Sequence, residues 1–406
     1  MRSLRSLRAL RPLLVCLLAA CPVLAPAQAQ AQTQVQAQAT YSVSIVAGRG
    51  GALAINAAGD LAGFTWAADG NARAFRHADG VLTVLGTMGG YASQATGIND
   101  AGTLAGSVGI WETGGRGFTY ADGAMSDLGT LGGNYVEAAA INNAGVVAGL
   151  AHRADGQSRA FRHANGVMQE LGTLSTAARG GSVARAINNA GQIAGASFIG
   201  DLDVSVAPTH AFLYEDGVMR DLGAFAGNDS AAYGINDHGD VVGVSAVGGG
   251  SAGSHAFLYR DGVMGDLGAL PGGDYAWARD INNAGLVVGD SNSRYAQHGF
   301  VYSAGMMIDL NNLIDRGSGW EIITAAAIND QHQIAATACR GDGCYPVRLD
   351  LTGSALPVPE PAAYLMLLGG LGSMGVVGLF RRRRASGRVV ECDALPAGHE
   401  RIDFHC

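Results

Sequence analysis

Short apolar stretches alternate with turn-forming residues along the chain, and the pattern recurs every 43 to 48 residues. Each repeat carries an Ile-Asn pair, usually with a Gly three residues after the Asn, followed by a short apolar segment. The seven copies begin at Ile55, Ile98, Ile141, Ile187, Ile235, Ile281 and Ile328. Because Asn accepts hydrogen bonds from the backbone that follows it and Gly readily adopts the left-handed conformation, each motif predicts a tight turn between two strands.

A second motif, Ala-Phe followed by Asp-Gly or Asn-Gly, lies between successive copies. Clear examples place the turn at Asp79-Gly80, Asn165-Gly166 and Asp216-Gly217. A type I′ turn needs positive φ at both central residues, so this pair between apolar residues is a strong hairpin signal. The two motifs together predict four strands per repeat. In the third copy these are residues 138–141, 146–151, 159–163 and 167–171.

Four short strands per repeat are typical of a propeller blade, and the small side chains of the first strand suit the crowded axis of such a fold. The seventh copy supplies three strands, and residues 41–46 occupy the place of a fourth. We therefore expect an all-β, seven-bladed β-propeller over residues 41–353, closed by pairing strand 41–46 into the last blade. A β-solenoid is the alternative, although it would require capping units at its ends.

The first 29 residues have the features of a secretory signal peptide. An Arg-rich start precedes an apolar run over residues 12–24 and overlapping Ala-x-Ala sites that end at Ala27, Ala29 and Ala31. Cys21 follows Leu-Ala-Ala, so a lipoprotein site is the alternative interpretation. Residues 30–40, rich in Gln and Ala, indicate a flexible spacer.

The C-terminal region has three elements in a fixed order. Val358, Pro359, Glu360 and Pro361 precede an uncharged apolar run over residues 362–380, and Arg381, Arg382, Arg383 and Arg384 follow at once. The 19-residue run is long enough to cross a bilayer as one transmembrane helix. The arginines would hold its cytoplasmic end, which places residues 41–357 outside the inner membrane.

This combination resembles the PEP-CTERM sorting signal of Gram-negative bacteria. The resemblance implies that the tail, residues 354–384, anchors the protein transiently in the inner membrane until an exosortase cleaves near the motif and releases it to the surface or matrix. Residues 385–406 depart from the family, which normally ends soon after the Arg cluster. An ordinary tail anchor is the alternative.

The repeats themselves resemble the bacterial HAF repeat, named for His-Ala-Phe. His210-Ala211-Phe212 and His255-Ala256-Phe257 match it literally, whereas other copies carry Arg73, Arg116 or Arg159 at the first place. The resemblance implies an extracellular location and no particular chemistry, and the exchange of His for Arg argues against a required catalytic role.

The charge balance excludes some partners. The chain contains no Lys, and residues 41–357 hold 16 Arg against 29 Asp and Glu, a net charge of −13. Such a surface repels phosphate backbones, so we expect no nucleic-acid binding.

The connections that vary between repeats would gather on one face of the propeller. They contain aromatic and acidic residues suited to stacking on sugar rings and bonding their hydroxyls. The candidate ligand face comprises Trp66, Trp111, Tyr135, Asp274, Tyr275, Trp277 and Trp320, with Tyr295, Asp201, Asp203 and Asp229 nearby. Packing of these rings between blades is the other interpretation.

Cys339 and Cys344 are the only cysteines between the signal peptide and the tail. A close pair in an exported protein indicates a disulfide, here in the connection between strands two and three of the closing blade. No catalytic constellation, metal-binding pattern or cofactor motif is present. We expect a non-enzymatic surface or exopolysaccharide-matrix protein, structural or polysaccharide-binding. A secreted polysaccharide-processing hydrolase or lyase is the alternative.

Overall fold

The computed structural model describes residues 40–110, 114–176, 180–200, 208–225, 229–248, 253–293, 296–341 and 343–353. Strands make up nearly all regular structure in these ranges, with two short 3-10 helices at Leu310–Asn312 and Arg316–Ser318. The prediction of an all-β chain of four-stranded antiparallel sheets is confirmed. No helix in the described ranges is long and apolar enough to cross a membrane. The predicted signal peptide, sorting motif, span, Arg cluster and extension lie outside these ranges.

Strand β1 (Tyr41–Ile45) precedes the first complete sheet. Sheet 1 contains β2 (Gly50–Ile55), β3 (Leu61–Trp66), β4 (Ala72–Ala78) and β5 (Val81–Val84). Sheet 2 contains β6 (Ala92–Ile98), β7 (Leu104–Ile110), β8 (Gly114–Ala121) and β9 (Ala124–Asp127). Sheet 3 contains β10 (Gly132–Ile141), β11 (Val147–Arg153), β12 (Ser158–Ala164) and β13 (Val167–Glu170).

The next three sheets repeat the same plan. Sheet 4 contains β14 (Ser182–Ile187), β15 (Ile193–Phe198), β16 (Thr209–Glu215) and β17 (Val218–Asp221). Sheet 5 contains β18 (Ser230–Ile235), β19 (Val241–Ala246), β20 (Ser254–Arg260) and β21 (Val263–Gly268). Sheet 6 contains β22 (Ala276–Ile281), β23 (Val287–Asn292), β24 (Gln297–Ser303) and β25 (Met306–Asp309).

Sheet 7 is built from both ends of the repeat region. It contains β26 (Glu321–Ile328), β27 (Ile334–Arg340), β28 (Gly343–Leu351) and, as its outer strand, β1. β1 pairs antiparallel with β28, so that Tyr41 lies opposite Leu351 and Ile45 opposite Val347. The N-terminal strand therefore supplies the fourth strand of the last sheet.

The first strands of the seven sheets lie nearest one another. Each contacts the first strands of the preceding and following sheets, and β26 contacts β2, so that the series returns to its start. Sheets 2 and 3 also share one parallel bridge, between Gly115 and Tyr135. Three residues before each repeat Ile there is an Ala with no exposed surface: Ala52, Ala95, Ala138, Ala184, Ala232, Ala278 and Ala325.

The core lies between neighbouring sheets. Six phenylalanines from the Ala-Phe and equivalent positions have no exposed surface: Phe75, Phe118, Phe161, Phe212, Phe257 and Phe300. The second strand passes beneath each ring at a glycine. A Cβ atom on Gly149, for example, would lie 2.9 Å from Cε1 of Phe161 and 2.0 Å from the main-chain oxygen of Glu137. The glycine therefore permits both the ring and the neighbouring strand to approach.

The turns follow the sequence prediction closely. Asp79 and Gly80 have φ of 50° and 75°, and Asn165 and Gly166 have φ of 52° and 76°. Strand bounds differ in detail. In the third copy the first strand begins at Gly132 instead of residue 138, because it pairs along β11 as far as Arg153 across two register shifts.

Candidate functional site

The Asn of every repeat motif is buried and forms two kinds of hydrogen bond. Its Oδ1 atom accepts the main-chain N–H four residues later, as in the 2.9 Å bond from Asp60 to Asn56, which closes the turn. Its Nδ2 atom donates to the main-chain oxygen of the next repeat Asn, as in the 3.1 Å bond from Asn56 to Asn99. The other donors in this ring are Asn99, Asn142, Asn188, Asn236, Asn282 and Asn329.

This asparagine ring explains why all seven motifs carry Asn at the same position. We assigned each Asn only to its own turn, a role that Asp can also fill. The presence of Asn at all seven positions was the available signal for the second role, because a carboxylate cannot donate a hydrogen bond. The motif therefore joins neighbouring repeats and has a structural role.

The residue after each Asn forms a second row around a cavity of about 220 Å³. In most repeats its main-chain N–H donates to a side-chain oxygen of the next residue in the row, at 2.8 to 3.0 Å. Ala57 has no such oxygen. Within the described ranges, no group of three or more His, Cys, Asp or Glu side chains is arranged to hold a metal ion.

The histidines of the His-Ala-Phe positions pair with carboxylates on the outer strand. The Nδ1 atoms of His210 and His255 lie 2.9 Å from carboxylate oxygens of Asp221 and Asp266, respectively. In sheet 2, Arg116 and Asp127 are 3.7 Å apart at the equivalent positions. Arg116 can take the place of His here because its guanidinium group also faces the Asp eleven residues later, whereas Arg73 pairs with Asp69. These residues are tied to their own sheets and are not gathered into a catalytic site.

One candidate site is the 5/6 cavity, a space of about 710 Å³ between sheets 5 and 6. β22 and the loop before it supply three lining residues of the predicted ligand face, and the residue just before β18 supplies a fourth. The lining includes Asp229, Asp274, Tyr275, Trp277, Arg279, Asp290 and Gln297. The structure thus brings Asp229, Asp274, Tyr275 and Trp277 together.

Trp277 packs against neighbouring side chains although it remains 37% exposed. Tyr233 of the neighbouring sheet stacks on it, with ring centroids 5.7 Å apart and planes inclined by 19°. The guanidinium carbon of Arg279 lies 5.5 Å from the centroid of the Trp277 ring. Arg185 extends the stack, because its guanidinium carbon lies 4.7 Å from the centroid of Tyr233.

Asp290 anchors the polar side of the 5/6 cavity. It is 3% exposed and accepts hydrogen bonds from Nε of Arg279 and, at 3.1 Å, from Nε2 of Gln297. Burial raises the pKa of Tyr275, and the nearby carboxylates of Asp290 and Asp274 act in the same direction. The phenol therefore stays protonated and can donate a hydrogen bond.

Two exposed carboxylates flank the entrance. Oδ1 of Asp229 accepts the main-chain N–H of Thr209 at 2.9 Å, and Oδ1 of Asp274 accepts the side-chain amide of Asn292. Asn292 also accepts the main-chain N–H groups of Asp274 and Tyr275 at 2.9 Å. The loops are fixed by these bonds, and within the described ranges the second oxygen of each carboxylate has no hydrogen-bond partner.

The remaining residues of the predicted ligand face do not join this cavity. Tyr135 lines a separate cavity near sheets 2 and 3. Trp66 is 54% exposed and meets Phe64 edge-on at 5.5 Å. Trp320 packs against the core of sheet 7, where it contacts Tyr345 edge-on at 5.9 Å. Trp111, Tyr295, Asp201 and Asp203 lie outside the described residues.

The two cysteines form a disulfide, Cys339–Cys344. They were expected in a connection between strands, but they face each other as a cross-strand pair because β27 and β28 extend through them to a short turn. Arg340, at the end of β27, places its guanidinium carbon 4.2 Å from the centroid of the Trp320 ring. Trp320, Tyr345 and Arg340 therefore pack together at this end of sheet 7, where the disulfide links β27 to β28.

Comparisons with known proteins identify one region by sequence. Residues 357–384 match the PEP-CTERM protein-sorting motif, as the resemblance of the tail indicated. The motif marks the chain as exported and sorted at the membrane toward the cell surface, and it implies processing by an exosortase. No curated protein sequence matches the chain.

Solved structures offer similarity of fold. The chain is similar to the β-propeller domain of the Trilobed protease from Pyrococcus furiosus, at 8% identity and a TM-score of 0.49, covering 80% of this chain and 97% of that one. A gluconolactonase from Xanthomonas campestris matches at 16% identity and a TM-score of 0.36, covering 62% and 82%. TolB from Acinetobacter baumannii matches at 12% identity and 0.42, covering 74% and 65%. Such likeness carries no information about activity.

Proposed function

We propose that this chain is a non-enzymatic protein of the cell surface or exopolysaccharide matrix, released by exosortase, whose 5/6 cavity binds a polysaccharide. In this proposal the seven sheets are the blades of a closed propeller of the HAF-repeat type over residues 41–353. The span over residues 362–380 holds the chain in the inner membrane until cleavage near Pro359-Glu360-Pro361. The sorting motif supports the export pathway.

The observation that carries the binding proposal is the composition of the 5/6 cavity. A partly exposed indole, stacked on Tyr233, lies beside a protonated phenol, an arginine, an amide and two carboxylate oxygens that have no partner among the described residues. Aromatic surfaces match the apolar faces of sugar rings, while the amide and carboxylates bond hydroxyl groups. The sides of a polysaccharide chain present both kinds of surface.

The sorting part is tested by mass spectrometry of the protein recovered from the producing strain. We expect a mature form that begins after Ala27, Ala29 or Ala31 and ends near residues 357–361. Intact chain retaining residues 362–380 in the inner membrane of a strain with an active exosortase would contradict release.

The binding part is tested with the secreted protein and hexasaccharides cut from the producer's own exopolysaccharide. Trp277→Ala should weaken binding by about tenfold or more, as expected for a central aromatic contact. Trp66→Ala is the matched control, because Trp66 is also exposed but does not line the cavity. Equal affinity of the Trp277 variant and the wild type would exclude this cavity as the binding site.

The enzymatic alternative predicts a different outcome of the same assay. A hydrolase or lyase would shorten the hexasaccharide during incubation, and Asp274→Asn would abolish that shortening. Under our proposal, the sugar is recovered unchanged and Asp274→Asn affects only its affinity.

A further inference from the structure

A second cavity has the same position relative to its sheet as the 5/6 cavity. This 2/3 cavity, of about 290 Å³, lies beside the start of β10 and is lined by residues from sheets 2 and 3 with one residue of sheet 1. Tyr135 lies six residues before Ile141, as Tyr275 lies six before Ile281. Since strands run in the same direction in every repeat, both cavities open at the end of the inner strands opposite the asparagine ring.

The aromatic residues of the 2/3 cavity rest on glycine backbone. A Cβ atom on Gly109 would lie 2.7 Å from Cζ of Tyr91, and one on Gly115 would lie 3.2 Å from Cε2 of Tyr135. His152 packs against Tyr135 from another side, with ring centroids 5.0 Å apart and planes inclined by 38°. The rings of Tyr91 and Tyr135 therefore lie directly against glycine backbone, and a larger residue at Gly109 or Gly115 would displace them.

The polar groups of this cavity are fixed in orientation. The hydroxyl group of Tyr135 donates a 3.0 Å hydrogen bond to Oε2 of Glu137. Burial raises the pKa of Tyr135 to about 12, and the charge of Glu137 acts in the same direction. Oε1 of Glu137 and the side-chain amide of Gln94 have no hydrogen-bond partner within the described ranges, and both residues line the cavity.

The chemistry of these groups selects the ligand. A carboxylate oxygen accepts bonds from hydroxyl groups, the amide of Gln94 both donates and accepts, and two phenol rings provide apolar surface. Glu137 is the only ionised group among the described lining residues, and its negative charge disfavours anionic sugars. A neutral sugar ring satisfies all of these groups.

We propose that the 2/3 cavity is a second saccharide-binding site, which takes neutral sugar units through Tyr91, Tyr135, Gln94 and Glu137. This inference rests on the proposed function, because it assumes that the 5/6 cavity binds the same class of polymer. In the order of the sheets around the ring, the 5/6 cavity lies three sheets after the 2/3 cavity. A long polysaccharide can therefore occupy both sites of one molecule, or one molecule can join two polysaccharide chains.

Two sites on one face have a measurable consequence. Once one site is occupied, the second binds at a high effective concentration, so avidity for a polymer exceeds the affinity of either site by about 100-fold or more. A hexasaccharide too short to reach both sites gains nothing from this effect. Comparison of short and long ligands therefore separates bivalency from simple affinity.

The test is isothermal titration calorimetry of the secreted protein with hexasaccharides from the producer's exopolysaccharide, alongside retention on the intact polymer. We expect two hexasaccharides per wild-type molecule and one for either Tyr135→Ala or Trp277→Ala. Each single variant should also lose about 100-fold or more in avidity for the polymer. Trp66→Ala should retain two sites.

The outcomes distinguish this inference from the proposed function. One site that is lost in Trp277→Ala and unchanged in Tyr135→Ala would overturn the second site and leave the first. No binding by correctly folded wild type would overturn both. Glu137→Gln preserves the shape of the site, so its failure to alter hexasaccharide affinity at the second site would contradict the assigned role of the carboxylate. Circular dichroism confirms that each variant is folded.

Discussion

The side-chain amide of Asn329 donates a 3.0 Å hydrogen bond to the main-chain oxygen of Asn56, 273 residues earlier in the chain. This bond joins the last repeat to the first with the geometry that joins all other neighbours. The two ends of the repeat region therefore meet twice. The inner strands of sheets 7 and 1 are joined by this bond, and β1 pairs with β28 at the outer side of sheet 7.

Loss of one member of the asparagine ring should therefore destabilise the whole domain. Asn142→Ala removes the donor to the oxygen of Asn188 and the acceptor for the main-chain N–H groups of Ala144 and Val146. Because these groups are buried or partly buried, we expect the free energy of unfolding to fall by about 3 kcal/mol in urea denaturation.

The neighbouring residue provides the control for this prediction. Asn143 is exposed, although its side chain forms two hydrogen bonds with Asp100, so Asn143→Ala should cost less than about 1 kcal/mol because water replaces the lost bonds. Equal losses for the two variants would show that the buried ring contributes no more than the exposed row.

Asp280 should make stability depend on pH. Its carboxylate accepts the main-chain N–H groups of Ile281 and, across the sheet boundary, Ile328, each at 2.9 Å. Burial raises its pKa to about 7. Between pH 4 and pH 7 the folded chain therefore keeps a proton that the unfolded chain has released, so stability falls as the pH rises across this range and levels off above about pH 7.

Asp280→Ala removes this titrating group. Four of the other six repeats carry Ala at this position, so the variant should fold. From pH 5 to pH 8, we expect the wild type to lose on the order of 2 kcal/mol of unfolding free energy relative to the variant. Parallel curves for the two proteins, measured by urea denaturation, would show that Asp280 is already ionised at pH 5.

Tyr41 begins the strand that completes sheet 7. It is 3% exposed, and its hydroxyl group is buried without a hydrogen-bond partner in the described ranges. Tyr41→Phe removes this group and keeps the ring, so stability should be unchanged or rise by about 1 kcal/mol. Tyr41→Ala should lose about 3 kcal/mol or more in thermal or urea unfolding, because it leaves a cavity. A clear loss in the Phe variant would reveal a partner for the hydroxyl group.

The disulfide should contribute modestly to stability. It closes a loop with a sequence separation of 5, for which restriction of the unfolded chain contributes about 2 kcal/mol. Cys339→Ser with Cys344→Ser should lower the unfolding free energy by that amount and leave the circular dichroism spectrum unchanged. A collapse of the fold would show that the bond is needed to pair β27 with β28.

The local structure could be predicted from the sequence because each repeat is built from short-range signals. Asp-Gly and Asn-Gly pairs set the hairpins, the Ile-Asn motif sets the other turn, and their seven-fold recurrence gives the number of sheets. The incomplete seventh copy and residues 41–46 also indicated how the ends meet, since a lone fourth strand needs a partner. The sorting tail was equally local, because three ordered elements fall within 27 residues.

The grouping of side chains into sites was decided only by the tertiary structure. Tyr135 and Trp320 resembled Trp277 in sequence context, but one lines a different cavity and the other packs in the corner beside Tyr345. Connections between strands differ in length, so spacing along the chain does not fix which sheet a loop residue will face. The bond from Nδ2 of each repeat Asn to the main-chain oxygen of the next repeat Asn could not be predicted from the sequence either. Its donor and acceptor belong to different repeats, and only the packing of one sheet on the next brings them together.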